Sequence, residues 1–228
     1  MPLTIRSAFA VCMTVASVCA AQPCLATTIV DPSGDILSTY VGQVGPDLDI
    51  LQFTVTADAT NFYVQVLLNG APGTTTLARY NLGIDRGAGT NTFPAGFRTG
   101  ASQDAVLNFI PSPLSAEVRL FDSNGVVVSV TPLPAGDFTF SGNTMSLVLP
   151  ISMVPSTGFA TQDYTFLLWS RTQIPGVPNQ LGVADFAPDQ GLLSLVPEPA
   201  TWAMMLLGFG GIGFCVRRKR KTPQIQAA

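Results

Sequence analysis

From residue 51 to residue 170 the chain alternates apolar and polar residues in runs too short for helices, and a turn closes each run. LQFTV sets Leu51, Phe53 and Val55 on one side. NFYVQVLL does the same with Phe62, Val64, Val66 and Leu68, RYNLGID with Tyr80, Leu82 and Ile84, and EVRLF follows. A repeat of two residues is the signature of a strand with one buried face. Asp58-Ala59-Thr60-Asn61 separates the first two runs, Ser123-Asn124-Gly125 joins EVRLF to VVVSV, and Ser141-Gly142-Asn143 joins DFTF to TMSLVLPI. These turn residues tolerate the positive φ that tight hairpins need. With YTFLLWS and a short strand near 191–195, the pattern predicts roughly eight to ten antiparallel strands. The fold class expected is all-β: an antiparallel β-sandwich, jelly-roll or immunoglobulin-like. Glycine and proline number 21 and 18, and only 11% of residues are charged, a balance that leaves no helices for parallel crossovers.

The two ends are of a different kind. Residues 1–26 carry one basic residue, Arg6, an uncharged run rich in Ala and Val, and small residues before the predicted cleavage after Ala26, with Ala21 as the alternative. That order is a secretory signal peptide. Cys12, Cys19 and Cys24 leave with it and Cys215 lies in the C-terminal apolar run, so the exported domain, 27–196, has no thiol for a disulfide or a nucleophile. Histidine is absent from the chain, and both lysines lie in the tail. Ser-His-Asp and Cys-His catalysis, Schiff-base chemistry and most zinc, copper or haem sites are thereby excluded. Carboxylate chemistry remains.

Charge divides sharply. Five arginines stand against thirteen acids between Thr27 and Val196, a net charge of −8, while Arg217, Arg218, Lys219, Arg220 and Lys221 follow as an unbroken basic cluster. So acidic a domain does not bind nucleic acid by charge. Pro199 to Val216 is an uncharged stretch of 18 residues. As a helix it reaches about 27 Å, close to the roughly 30 Å of a bilayer core. The expected transmembrane helix, 200–216, is oriented by the basic cluster, 217–221, with the C-terminal tail, 222–228, in the cytoplasm. Membrane attachment through this helix precedes any processing.

Pro197-Glu198-Pro199, then Trp202, the Gly-rich apolar segment and the basic cluster resemble the PEP-CTERM sorting signal of Gram-negative bacteria that make extracellular polysaccharide. The resemblance implies recognition of Pro197, Glu198, Pro199 and Trp202 by an exosortase, a membrane protease that cleaves near the Pro-Glu-Pro box, and delivery to the cell surface or beyond. The two prolines suit this reading, since they hold Glu198 extended at the membrane surface. Gly208 to Gly213 also satisfies G-x-G-x-x-G, but no strand precedes it and no acid follows at the dinucleotide distance.

The exported domain resembles, more loosely, DOMON and family-9 carbohydrate-binding sandwiches. The shared features are Asp31 to Asp35, Asp47-Leu48-Asp49 entering a strand, the Asn61 hairpin, Tyr80 to Asp85, and Asp185 to Asp189. That likeness implies ligand binding, often of sugars, with structural calcium in some members. Asp31, Asp35, Asp47 and Asp49 lie in Gly/Pro loops before one strand, where they either converge on Ca²⁺ or cap turns in solvent, and the sequence leaves both open. Tyr40, Tyr63, Tyr164 and Trp169 are candidates to stack on sugar rings, with Trp169 better suited to the core. The function expected is a non-enzymatic surface or matrix protein, structural or carbohydrate-binding, associated with exopolysaccharide or biofilm. The alternative is a calcium-dependent, aspartate-based hydrolase, which needs two facing carboxyl groups although Glu117 is the one glutamate of the domain.

Overall fold

The computed structural model describes residues 25–91, 93, 98, 100–196 and 205–211. The described domain is built of antiparallel strands in two packed sheets. In chain order the first strands are β1 (Leu25–Val30), β2 (Ile50–Ala57), β3 (Asn61–Leu68) and β4 (Ala78–Asp85). Two short strands, β5 (Thr90–Asn91) and β6 (Ser102–Gln103), lead to β7 (Ala105–Pro111), β8 (Leu114–Phe121) and β9 (Val127–Pro132). Then come β10 (Phe138–Ser141), β11 (Thr144–Pro150), β12 (Thr165–Thr172), β13 (Val183–Ala187) and β14 (Leu193–Ser194). The first sheet runs β1-β2-β3-β11-β10; the second runs β13-β12-β4-β7-β8-β9, with β14 also on β12; β5 and β6 pair separately as a small two-stranded sheet.

The predicted hairpins form where expected. At the β2–β3 turn Asp58 Oδ1 accepts hydrogen bonds from the Thr60 and Asn61 amides at 2.7 and 2.8 Å, and the Tyr63 hydroxyl donates to its Oδ2 at 2.7 Å. At the β8–β9 turn Asp122 Oδ1 accepts from the Asn124 and Val126 amides. Gly142, at φ +59°, turns β10 into β11. The alternating apolar residues of both sheets meet in one core, where Phe62 of β3 lies edge-on to Phe166 of β12 with ring centroids 5.3 Å apart.

The second sheet is buried on its outer face as well. Val106, Leu167, Trp169, Val183 and Phe186 form a separate apolar cluster there, joined by Phe93, which packs edge-on to both Trp169 and Phe186. Gly83 of β4 lies under this cluster, and a Cβ there would collide with Gln103 and press on the Trp169 ring. Trp169 and Tyr164 are therefore core residues, which removes two of the four candidate sugar-stacking aromatics. The Tyr40 hydroxyl is held by the Gln43 carbonyl at 2.9 Å and lies 3.0 Å from Thr172 Oγ1.

β1 begins at Leu25, so Leu25 and Ala26, which the predicted cleavage after Ala26 assigns to the signal peptide, pair with Ala57 and Thr56. The two ends of the domain also meet: the Ala26 amide donates to the Val196 carbonyl at 3.1 Å, and Thr27 Oγ1 donates to the Ser194 carbonyl at 2.7 Å. Of the expected transmembrane helix, only 205–211 lies among the described residues. It is helical and exposed, and no helix of the described residues is long and apolar enough to cross a membrane.

Candidate functional site

The loop between β1 and β2 lies along β13, the edge strand of the second sheet. The Leu37 amide donates to the Ala184 carbonyl at 2.7 Å and the Val41 amide to the Leu181 carbonyl at 3.1 Å. This docking brings Asp31 and Asp35, at the start of the loop, against Asp185 of β13 and Asp189 just beyond it. One carboxylate oxygen from each of the four lies within 4.8 Å of the others.

The local structure explains how such like charges come to share a place. Asp185 points inward: its Oδ2 accepts the Ile50 amide at 2.7 Å and its Oδ1 the Phe186 amide at 2.7 Å, which fixes the carboxylate between the sheets. Arg98 sits over the Phe186 ring and donates through one terminal nitrogen to the Pro188 and Gly191 carbonyls at 2.6 and 2.8 Å, holding the turn that carries Asp189. Asp49 holds the opposite wall: its Oδ2 accepts from the Gly34 amide and from Asn69 Nδ2, each at 2.9 Å, and from Ser33 Oγ at 3.2 Å.

What the cluster lacks is donors. Asp31 Oδ2, both oxygens of Asp35 and Asp49 Oδ1 are buried with no hydrogen-bond partner among the described residues. Asp31 is 6% exposed and Asp49 3%, so water does not supply the deficit from an open surface. Burial, followed by the charges of Asp189, Asp35 and Asp49, pushes the Asp31 carboxyl up to about 7, against an opposing pull from Arg98. Burial likewise pushes Asp185 up to about 8, with Asp31 and Asp35 adding to it. Asp35 is raised too, again chiefly by burial. At neutral pH the site either keeps protons or takes a cation.

The geometry suits a hard cation. Every ligand is a carboxylate oxygen, the donor set that Ca²⁺ prefers, and two oxygens on opposite sides of a Ca²⁺ ion stand about 4.6–5.2 Å apart. Magnesium draws its ligands closer, to about 4.1 Å across the ion.

The sequence-derived set is corrected in two places. Asp47, fully buried, lies outside the cluster: its Oδ2 accepts from the Gly73 and Thr75 amides and the Tyr80 hydroxyl at 3.0–3.1 Å, its Oδ1 accepts from Thr75 Oγ1, and it serves to close the 70–75 loop. Asp49 stands outside the four and acts as a brace for the loop bearing Asp31 and Asp35. Asp185 and Asp189 take their places. Proximity in sequence grouped 31, 35, 47 and 49, whereas the sheet edge selects 31, 35, 185 and 189. Pro197, Glu198, Pro199, Trp202, Arg217, Arg218, Lys219, Arg220 and Lys221 lie outside the described residues.

The described residues thus define an all-β, two-sheet domain with an oxygen-only cluster where its first loop meets its last strands. Immediately after it, residues 195–220 match the family of the PEP-CTERM protein-sorting motif. The C-terminal segment thus carries a PEP-CTERM sorting motif, the kind of signal that marks exported proteins for exosortase. No curated protein and no solved structure gave a match.

Proposed function

We propose that the exported domain is a non-enzymatic surface module, stabilised by one calcium ion, processed by exosortase and retained in exopolysaccharide. The observation that carries this reading is the convergence of Asp31, Asp35, Asp185 and Asp189 with buried oxygens left unpartnered. A cation there ties the loop after β1 to the segment after β13, a few residues ahead of the sorting motif. Calcium sites of extracellular modules have dissociation constants of about 10⁻⁴–10⁻³ M, so such a clasp closes after export. The same carboxylates are poor tools for hydrolysis: they crowd together at the sheet edge, whereas glycosidases hold two carboxyl groups on either side of a substrate at about 5–9.5 Å.

Calorimetry of the full-length chain tests the clasp. Calcium is expected to raise the melting temperature and a chelator to reverse the rise; a melt indifferent to both would overturn the reading. Exosortase dependence has its own test, because Glu198→Ala removes a residue of the box and leaves the apolar segment intact. The variant should accumulate at full length in the inner membrane, as judged by mass and fractionation, while wild type is trimmed.

A further inference from the structure

The outer face of the second sheet holds the opposite chemistry. Of the five arginines between Thr27 and Val196, Arg86 is committed to Asp104 at 2.9 Å and Arg98 to the carbonyls of the last turn. The other three, Arg79, Arg119 and Arg171, line one cavity of about 290 Å³ on this face together with Asn81, Asn108 and Asn179. A second cavity of about 390 Å³ shares most of that lining and extends it to the edges of Trp169 and Phe121.

Strand register creates this cluster. Arg79 of β4 and Arg171 of β12 are direct cross-strand partners, as are Asn81 and Trp169 on the same pair, and Asn81 and Asn108 on β4 and β7. Like charges placed directly opposite destabilise a sheet. Neither Arg79 nor Arg171 has an ion pair among the described residues; Arg171 donates to Asn179 Oδ1 at 2.8 Å. Arg119 is the exception, paired with Glu117. Burial, and then the charge of Arg79, holds the Arg171 guanidinium below its usual range. Two buried donors on residues that line the cavity have no acceptor among the described residues: Arg171 Nε, and Nδ2 of Asn81, a side chain only 3% exposed. Unused donors, an uncompensated cation pair and an aromatic edge together specify a planar anion borne on a polar, partly apolar molecule.

We infer that this groove binds the carboxylates of an acidic, uronate-bearing polysaccharide, with Arg79 and Arg171 clasping a carboxylate and Asn81, Asn108 and Asn179 meeting ring hydroxyls. The assignment rests on the reading of the protein as an exopolysaccharide-bound module and gives that polysaccharide its chemical class. Amides among the cations favour a hydroxyl-rich chain over an acidic peptide, and the domain's net negative charge confines attraction to this local cluster.

Titration calorimetry on the detergent-solubilised full-length chain, at fixed calcium, tests this with four probes: tetragalacturonate, its methyl ester, isomaltotetraose and an oligoglutamate. Binding is expected for tetragalacturonate alone, weakening as salt rises. The double variant Arg79→Gln/Arg171→Gln should lose at least about tenfold in affinity, with a melting temperature no lower than that of the wild type and its calcium response retained. Equal affinity for the methyl ester or for oligoglutamate, or undiminished binding by the double variant, would overturn the inference. Should that variant fail to fold, the wild-type comparison of acid with ester still decides. If acidic and neutral saccharides bind alike, the acidic assignment falls and the surface-module reading stands. Failure of the cells' own exopolysaccharide to retain the processed protein would remove that reading as well.

Discussion

The acid edge and the arginine groove are mirror images in one domain. At the edge of β13, buried acceptors outnumber donors; on the outer face of β4 and β12, buried donors outnumber acceptors. The buried pair of Arg86 and Asp104 is balanced instead: the guanidinium meets Asp104 Oδ1 and the Asp104 and Pro155 carbonyls, while Asp104 accepts from the Arg86 amide and from Thr157. This pair serves the fold alone. Burial of charge is common to all three places, and only the two with one sign in surplus call for something from outside.

That contrast can be broken by experiment. The largest effect belongs to the balanced pair, since Arg86→Met leaves the Asp104 carboxylate buried without its counter-ion; chemical denaturation should record a loss of about 3–5 kcal/mol. A smaller loss than that of an exposed arginine would mean the pair is not buried as described. Next comes the acid edge. Calcium at a hundred times its dissociation constant should add about 2.7 kcal/mol at pH 8.

Without metal the acid edge should show an inverted pH dependence. In the folded domain Asp31 and Asp185 keep their protons up to about 7 and about 8, against an ordinary value of 3.8. Between roughly pH 4 and pH 8 the folded state therefore binds more protons than the unfolded one, and stability falls as pH rises. Melting of the calcium-free chain should be higher at pH 5 than at pH 8, with calcium closing the gap. A rise in stability from pH 5 to pH 8 without calcium would remove the uncompensated cluster.

A smaller effect separates charge from shape. Asp31→Asn keeps the volume and removes the charge, so the metal-free chain should melt a few degrees higher at pH 8 and lose its response to calcium. Retention of the full calcium shift would exclude Asp31 from the site. Smallest of all is Arg79→Gln, which relieves the opposition to Arg171 and should stabilise the unliganded chain by about 0.2–1 kcal/mol in denaturant titrations.

Sequence alternation revealed the strands with one wet face, and β4 as well, although β4 is buried almost throughout. β2, β3, β8 and β11 could be read directly, and so could their turns. β7 and β13 escaped because the second sheet is covered on both sides: VADFA is buried at every position, which erases the period of two. β1 was hidden by its position beside the signal peptide, whose small uncharged residues look alike whether they are to be cleaved or paired. Asp31 and Asp35 were legible as candidates because loop acids near Gly and Pro are conspicuous. Their partners Asp185 and Asp189 stand about 150 residues away, and only the sheet edge brings them together. The arginine groove was invisible to sequence for the same reason, as it depends on the register that sets residue 79 opposite 171.

The hydrogen bonds from Ala26 and Thr27 to Val196 and Ser194 also bear on how the protein carries load. In a surface protein held by its C-terminal end, tension enters through Val196, and these two bonds to β1 are the first to feel it. Behind them stands Asp189, whose partners across the acid edge belong to the loop that follows β1. A cation seated there would act as a rivet between the strand that starts the domain and the turn that ends it, so the force needed to open the domain from its tether would rise and fall with the calcium outside the cell.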